Sequence, residues 1–196
     1  KLCEIKEQID TVYPFCIGYF SGSYSHNKDF ASICDYLYTF MERHDDVVLK
    51  IVGHLEIDDR LKTYEENGRI LWLPYMDFKS LQREIASVDI NVIPLMINDF
   101  TNCKSELKFY EASIVKTITC ASKTYIYEQV LDHNKTGYLC EGEEWLSAFE
   151  DIYQNKQKAK SIAENAYKKC FHTYFGDQVI HEIVKVYDAI LDEVSK

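Results

Sequence analysis

Arginine is scarce in this 196-residue chain, occurring only at Arg43, Arg60, Arg69 and Arg83. Any anion recognised here must therefore be held by lysines, hydroxyls and backbone N–H groups rather than by guanidinium forks. Long apolar runs are missing too, none approaching the roughly 20 residues that cross a bilayer. No secretory signal pattern opens the chain, so a cytoplasmic domain is expected. The seven cysteines are odd in number and scattered, with no C-x-x-C pair and no histidine at zinc spacing. They read as free thiols, and neither a metal nor a cofactor is expected. A basic stripe is absent: the net charge of −10 is spread along the chain, which argues against nucleic acid as a partner. The dinucleotide fingerprint G-x-G-x-x-G is lacking as well.

What is present is a globular composition, 46% hydrophobic with fifteen Tyr and ten Phe. Short apolar runs at 15–20, 47–53, 69–74, 89–95 and 117–122 read as buried strands. Between them, 28–44, 58–68, 78–88 and 105–115 carry apolar residues at helical spacing. Beyond 122 come a short helix near 125–131, a small strand at 137–140, and helices from about Glu143, Lys156 and Gly176. The alternation predicts a Rossmann-like, doubly wound parallel sheet of about six strands, with helices on both faces and a helical C-terminus. Ligands of such sheets bind beyond the carboxyl ends of the strands, so the loops after the first, third and fourth strands are the candidates.

The first of these loops packs Gly18, Ser21, Gly22, Ser23, Ser25, His26 and Lys28 between a strand and a helix. Small residues let backbone N–H groups approach an anion, and the same composition also makes an ordinary capped turn. The second candidate runs from Phe100 to Ala112. With Ser105 as N-cap, Lys108 and Glu111 fall on the first two turns of a helix, three residues apart on one face. A lysine suits a diphosphate and a carboxylate suits a ribose cis-diol; the same pair also makes an i,i+3 surface ion pair. After the third strand, Tyr75 offers a ring to a base or simply fills a loop.

Taken in order, IGYFSGSYSHNKDF, GRILWLPYMDFKSLQREIASVDINVIPL and NDFTNCKSELKFYEASIVKTITCAS resemble the donor-binding domain of group 1 glycosyltransferases of the GT-B fold. The similarity covers about 110 residues and continues into GYLCEGEEWLSAFEDIY. The segment Lys104-Ser105-x-x-Lys108-x-x-Glu111 resembles a subgroup motif. The resemblance implies that Glu111 binds the ribose hydroxyls of a nucleoside-diphosphate sugar. It likewise implies diphosphate contacts from Gly22, Ser23 and Lys28, with His26 in the same loop among the donor contacts. Lys104, Ser105 and Lys108 would add phosphate or sugar contacts, and Tyr75 would lie near the base. Where the family places a first glutamate, eight positions before Glu111, this chain has Cys103; Asn98, Asp99 and Glu106 are the nearby substitutes. Tyr19 stands near a position where the family often has arginine.

On this resemblance, residues 1–14 are an inter-domain connection or N-terminal extension and 15–196 one nucleotide-sugar-binding domain. The chain opens on Lys rather than Met, and a separate N-terminal domain would hold the acceptor. It further implies sugar transfer to a glycan, lipid-linked or protein acceptor in polysaccharide assembly, and peripheral membrane association of the whole enzyme. A receiver-like regulatory module, by contrast, needs acidic residues at the end of its first strand, and FCIGYFSGS has none. A GT-B sugar-nucleotide epimerase fits the Lys-Ser segment less well. Residues 176–196 form an amphipathic helix whose apolar face serves either the domain core or a partner domain.

Overall fold

A computed structural model describes residues 4–9, 13–21 and 27–194. Six strands form one sheet: β1 (Phe15–Phe20), β2 (Val47–Val52), β3 (Ile70–Leu73), β4 (Ile90–Ile93), β5 (Ile118–Ser122) and β6 (Tyr138–Cys140). Their order is β3-β2-β1-β4-β5-β6, and every pairing is parallel. The expected doubly wound class is therefore observed. Chain order reverses between β1 and β4, which makes the carboxyl ends of these two strands the switch point.

Each strand of the centre is buried on both faces, which is why it reads as an unbroken apolar run. In β1 the odd residues Phe15, Ile17 and Tyr19 enter the core shared with helices α2 (Cys34–Arg43), α3 (Asp59–Glu66) and α8 (Glu144–Gln154). The even residues Cys16 and Phe20 face α4 (Phe78–Ala86) and α6 (Leu107–Ser113). Gly18 lies on that second face, where a Cβ would meet the Phe20 ring at 2.7 Å and Val88 Cγ2 at 2.9 Å. A third cluster joins Phe109 to Tyr127 of α7 (Tyr125–Val130) and Ala166 of α9 (Lys156–Tyr174).

Several boundaries differ from those read in the sequence. The helix expected over 28–44 is two, α1 (Asn27–Ala31) and α2, because Ser32 Oγ donates to the Asp29 carbonyl at 2.6 Å and Ile33 N–H to Phe30 O at 3.1 Å, closing a turn between them. The stretch before the motif helix folds into a short α5 (Asp99–Asn102), closed by a capping box of Asn98 and Thr101. Ser105 is consequently not the N-cap of α6; that position is Glu106, which places no side-chain hydrogen bond on the helix.

At the amino end of the sheet, Lys6 Nζ donates to Val88 O at 2.9 Å and to Thr117 Oγ1 at 3.1 Å, and Ile5, Ile9 and Tyr13 pack on the second core. At the other extreme, α10 (Asp177–Val194) presents Ile180, Ile183, Tyr187, Ile190, Leu191 and Val194 to solvent, all exposed. Of the two alternatives for its apolar face, packing into this domain is not what the described side chains from Ile180 to Val194 show. No described helix is long and apolar enough to cross a membrane.

Candidate functional site

The carboxyl ends of β1, β2 and β3 are drawn together by backbone bonds. Ser21 N–H donates to Val52 O at 2.9 Å, and Gly53 N–H to Leu73 O at 3.0 Å. Gly53 has φ +96°, and a Cβ there would lie 2.0 Å from the Ser21 carbonyl, so only glycine permits this approach at the root of the first loop. Gly22, Ser23 and His26, the loop residues expected at the diphosphate, lie outside the described residues. Lys28 follows on α1, exposed to solvent and without a hydrogen bond or ion pair to any described residue.

The central feature is Lys108. Its ammonium reaches across the switch point to donate to the Phe20 carbonyl at 2.8 Å, and sits 5.5 Å from the centre of the Tyr19 ring. Motif helix and first loop therefore meet at one cation. Enclosure, reinforced by the neighbouring positive charge of Lys104, lowers the Lys108 pKa to about 8, while Glu111 and Asp29 oppose the shift. Glu111, one turn further along α6, is half-buried and accepts no hydrogen bond from any described residue. Burial raises its pKa, opposed by the charge of Lys108. A desolvated carboxylate beside an enclosed ammonium is a pair with unused hydrogen-bonding capacity, the condition that a ligand can relieve.

Lys104 lies before α6 with its ammonium 5.3 Å from the centre of the Phe100 ring, itself exposed. Ser105 is exposed beside it. Tyr75, by contrast, is not brought into this group. It follows β3 at the sheet edge, two strands from β1, is 74% exposed, and makes no ring contact or hydrogen bond with a described residue.

Two residues that the sequence did not single out hold the site's geometry. Asp29 is buried on α1 and its Oδ1 accepts the Met96 N–H at 2.8 Å, fastening the loop after β4 to the start of α1. Ser122, at the end of β5, accepts the Leu95 N–H through Oγ at 2.8 Å. The only available signal for Asp29 was a carboxylate wedged between Lys28 and the apolar Phe30. The substitutes considered for a glutamate at Cys103 also sort themselves. Asn98 is consumed by the capping box, and Glu106 accepts the Tyr174 hydroxyl at 2.7 Å. Asp99 is exposed, with its carboxylate unpaired among the described residues, and Cys103 is an exposed C-cap of α5. Among the described residues no group of three or more metal-ligating side chains converges.

Comparison with known proteins gives this geometry a setting. Residues 16–169 match the family described as "Glycosyl transferases group 1". Among solved structures, the chain is similar to the C-terminal domain of a glycosyl transferase group 1 family protein (LpcC) from Francisella tularensis. The TM-score is 0.67 at 15% identity, over 89% of this chain and 93% of that domain. It is similar also to Alr3699/HepE of Anabaena in complex with UDP, with TM-score 0.75 and 15% identity over 96% of this chain and 52% of that one. A mutant of S. aureus TarM in complex with UDP gives TM-score 0.69 and 14% identity, over 91% and 37%. The chain thus spans about half the length of the Anabaena protein and less of TarM. None of the curated protein sequences compared with it matches.

Proposed function

The chain belongs to the group 1 glycosyl transferases, and from that premise we propose that it is the donor-binding half of a two-domain enzyme, holding a nucleoside-diphosphate sugar at the β1–β4 switch point. The observation that carries this reading is the Lys108–Glu111 pair. An enclosed ammonium stands at the end of β1, and a half-buried carboxylate that accepts no hydrogen bond from any described residue stands one turn away. Lys108 and Lys104 meet the diphosphate, and Glu111 accepts hydrogen bonds from the ribose diol. Gly22, Ser23, His26 and Lys28 supply the remaining phosphate contacts, and Ser105 adds a hydroxyl. Tyr75 reaches the base through movement of its exposed loop. Asp99 takes the place of the glutamate that Cys103 does not provide, toward the sugar. The Lys-Ser-x-x-Lys-x-x-Glu segment marks the subgroup.

Glycosyl transfer needs the departing diphosphate stabilised as its bond to the sugar breaks, and preorganised cations in an enclosed site do this without reorganising at the moment of reaction. Lys108, fixed by Phe20 O and Tyr19, is such a cation. The acceptor and the groups that handle its hydroxyl belong to an N-terminal domain, to which residues 1–14 connect. This half alone therefore binds donor without turning over. The full enzyme acts in assembly of a glycan, in the cytoplasm or at a membrane surface.

Calorimetric titration with UDP, GDP, dTDP and NAD tests the reading. One nucleoside diphosphate should bind, and Glu111→Ala and Lys104→Ala should each weaken it by about tenfold or more, roughly 1.4 kcal/mol. Binding of none of the four by the folded wild-type chain, or equal binding by both variants, contradicts it.

A further inference from the structure

Strand β4 breaks its own pattern at Asn91. The run Ile90-Asn91-Val92-Ile93 is buried throughout, and Asn91 is only 2% exposed. A strand covered on both faces is apolar because a polar side chain loses its water there, so a buried amide needs a partner and a reason. The sheet ladder is not that reason. It uses main-chain groups, setting Asn91 against Gly18 of β1 on one side and Thr119 of β5 on the other. Thr119 is buried as well, and its Oγ1 meets no hydrogen-bond partner among the described residues. Two polar side chains are thus register neighbours on the sheet face that carries Gly18, the face covered by α4 and α6. Departures from local patterning of this kind collect at functional sites.

Asn91 turns its amide to the motif helix, where Nδ2 donates to the Lys108 carbonyl at 3.3 Å. Lys108 is thereby held at both ends, its carbonyl by β4 and its ammonium by the Phe20 carbonyl of β1 at 2.8 Å. These are the two strands that meet at the switch point. The need for the inner tie lies in α6 itself. It has seven residues, and its N-cap, Glu106, places no side-chain hydrogen bond on it. A helix so short takes its position from tertiary contacts rather than from its own turns. The groups that act on the charge of Lys108 are Lys104 before α6, Glu111 on it and Asp29 on α1, with the Tyr19 ring of β1 beside the ammonium. Asn91 is neutral and acts on place alone.

We propose that Asn91 is a positioning residue for the diphosphate site, fixing the first turn of α6 on β4 so that the Lys108 ammonium meets the phosphate oxygens at the end of β1. It touches no ligand and acts through Lys108. The role takes its ligand from the donor-binding reading above and its geometry from β4 and α6.

A double-mutant cycle tests it. Asn91→Val, which suits a central strand and removes the donor, should weaken UDP binding about fivefold or more in calorimetric titration. In a Lys108→Met chain the same change should alter affinity by no more than about twofold, because a residue that acts through another then has nothing to act on. Asn91→Ala repeats the cycle should the Val variant not fold. A readout free of nucleotide is the pH titration of Lys108 by NMR of a chain isotope-labelled at lysine Cε. Its midpoint, about 8 in the wild type, should rise toward the ordinary 10.5 in Asn91→Val, as the released helix lets water reach the ammonium. UDP binding that is indifferent to the Asn91 change, an equal loss in both backgrounds, or a Lys108 midpoint that does not move overturns the proposal. A wild-type chain that binds no UDP, with a midpoint that still rises in the variant, refutes the donor site and upholds the placement of Lys108 by Asn91.

Discussion

Replacing Lys108 by Met should separate binding from stability, in opposite directions. In the folded chain the lysine's pKa is held at about 8 against an ordinary value of 10.5, chiefly by burial. At pH 7 that shift corresponds to a folding cost of about 3 kcal/mol, at 1.36 kcal/mol per unit. The Phe20 carbonyl and residual solvent reduce it, and losing the donor to that carbonyl costs about 1 kcal/mol in return. Lys108→Met should therefore leave the chain as stable as wild type or more stable by about 1–2 kcal/mol, a Tm rise of up to about 2–8 °C for a domain of this size. Diphosphate affinity should move the other way. A charge-assisted hydrogen bond in an enclosed site is worth about 1.5–3 kcal/mol, so binding should weaken by roughly 10- to 150-fold. Thermal denaturation followed by circular dichroism and calorimetric titration of the same preparation read both quantities. A variant that melts lower and binds the nucleotide as well as wild type would show that Lys108 is a packing residue, refuting the assignment.

The same lysine sets a pH dependence. Lys108 must be protonated to hold the diphosphate, and with a pKa of about 8 its charged fraction falls from about nine-tenths at pH 7 to about one-tenth at pH 9. Affinity should fall across that interval and the fall should vanish in Lys108→Met, as titrations at several pH values will show. For Glu111→Gln, the loss with UDP should be about tenfold and should largely disappear with 2′-deoxy-UDP, because the removed interaction is with the ribose diol. Gly53→Ala forces a Cβ toward the Ser21 carbonyl at a left-handed φ, and should cost about 2–4 kcal/mol in urea denaturation. Deleting 177–196 removes exposed apolar side chains from Ile180 to Val194, and should leave Tm nearly unchanged while reducing self-association in analytical ultracentrifugation.

How far the sequence was legible depended on what each residue answers to. Strands β1, β2, β4 and β5 announced themselves because parallel strands covered on both faces must be apolar throughout, as FCIGYF is. The Lys108–Glu111 juxtaposition followed from helical spacing and survived the misplaced N-cap, since Glu106 and Ser105 start α6 on nearly the same turn. The break between α1 and α2 was not legible, because it depends on Ser32 bonding back to Asp29 where the apolar spacing runs on unbroken. Nor could α5 be seen: Asn98 and Thr101 close a capping box without the glutamate or glutamine that usually marks one. Asp29 and Ser122 were hidden for another reason. Each acts on a backbone N–H far along the chain, on Met96 and Leu95, and periodicity carries no information about such partners.

A crystal structure of this chain with a bound nucleoside diphosphate tests the central claim most directly. The account predicts the diphosphate against Lys108 at the end of β1 and both ribose hydroxyls within hydrogen-bond distance of Glu111, at about 2.6–3.0 Å. A nucleotide seated elsewhere on the sheet, or at this edge with Glu111 facing away from the ribose, would contradict it.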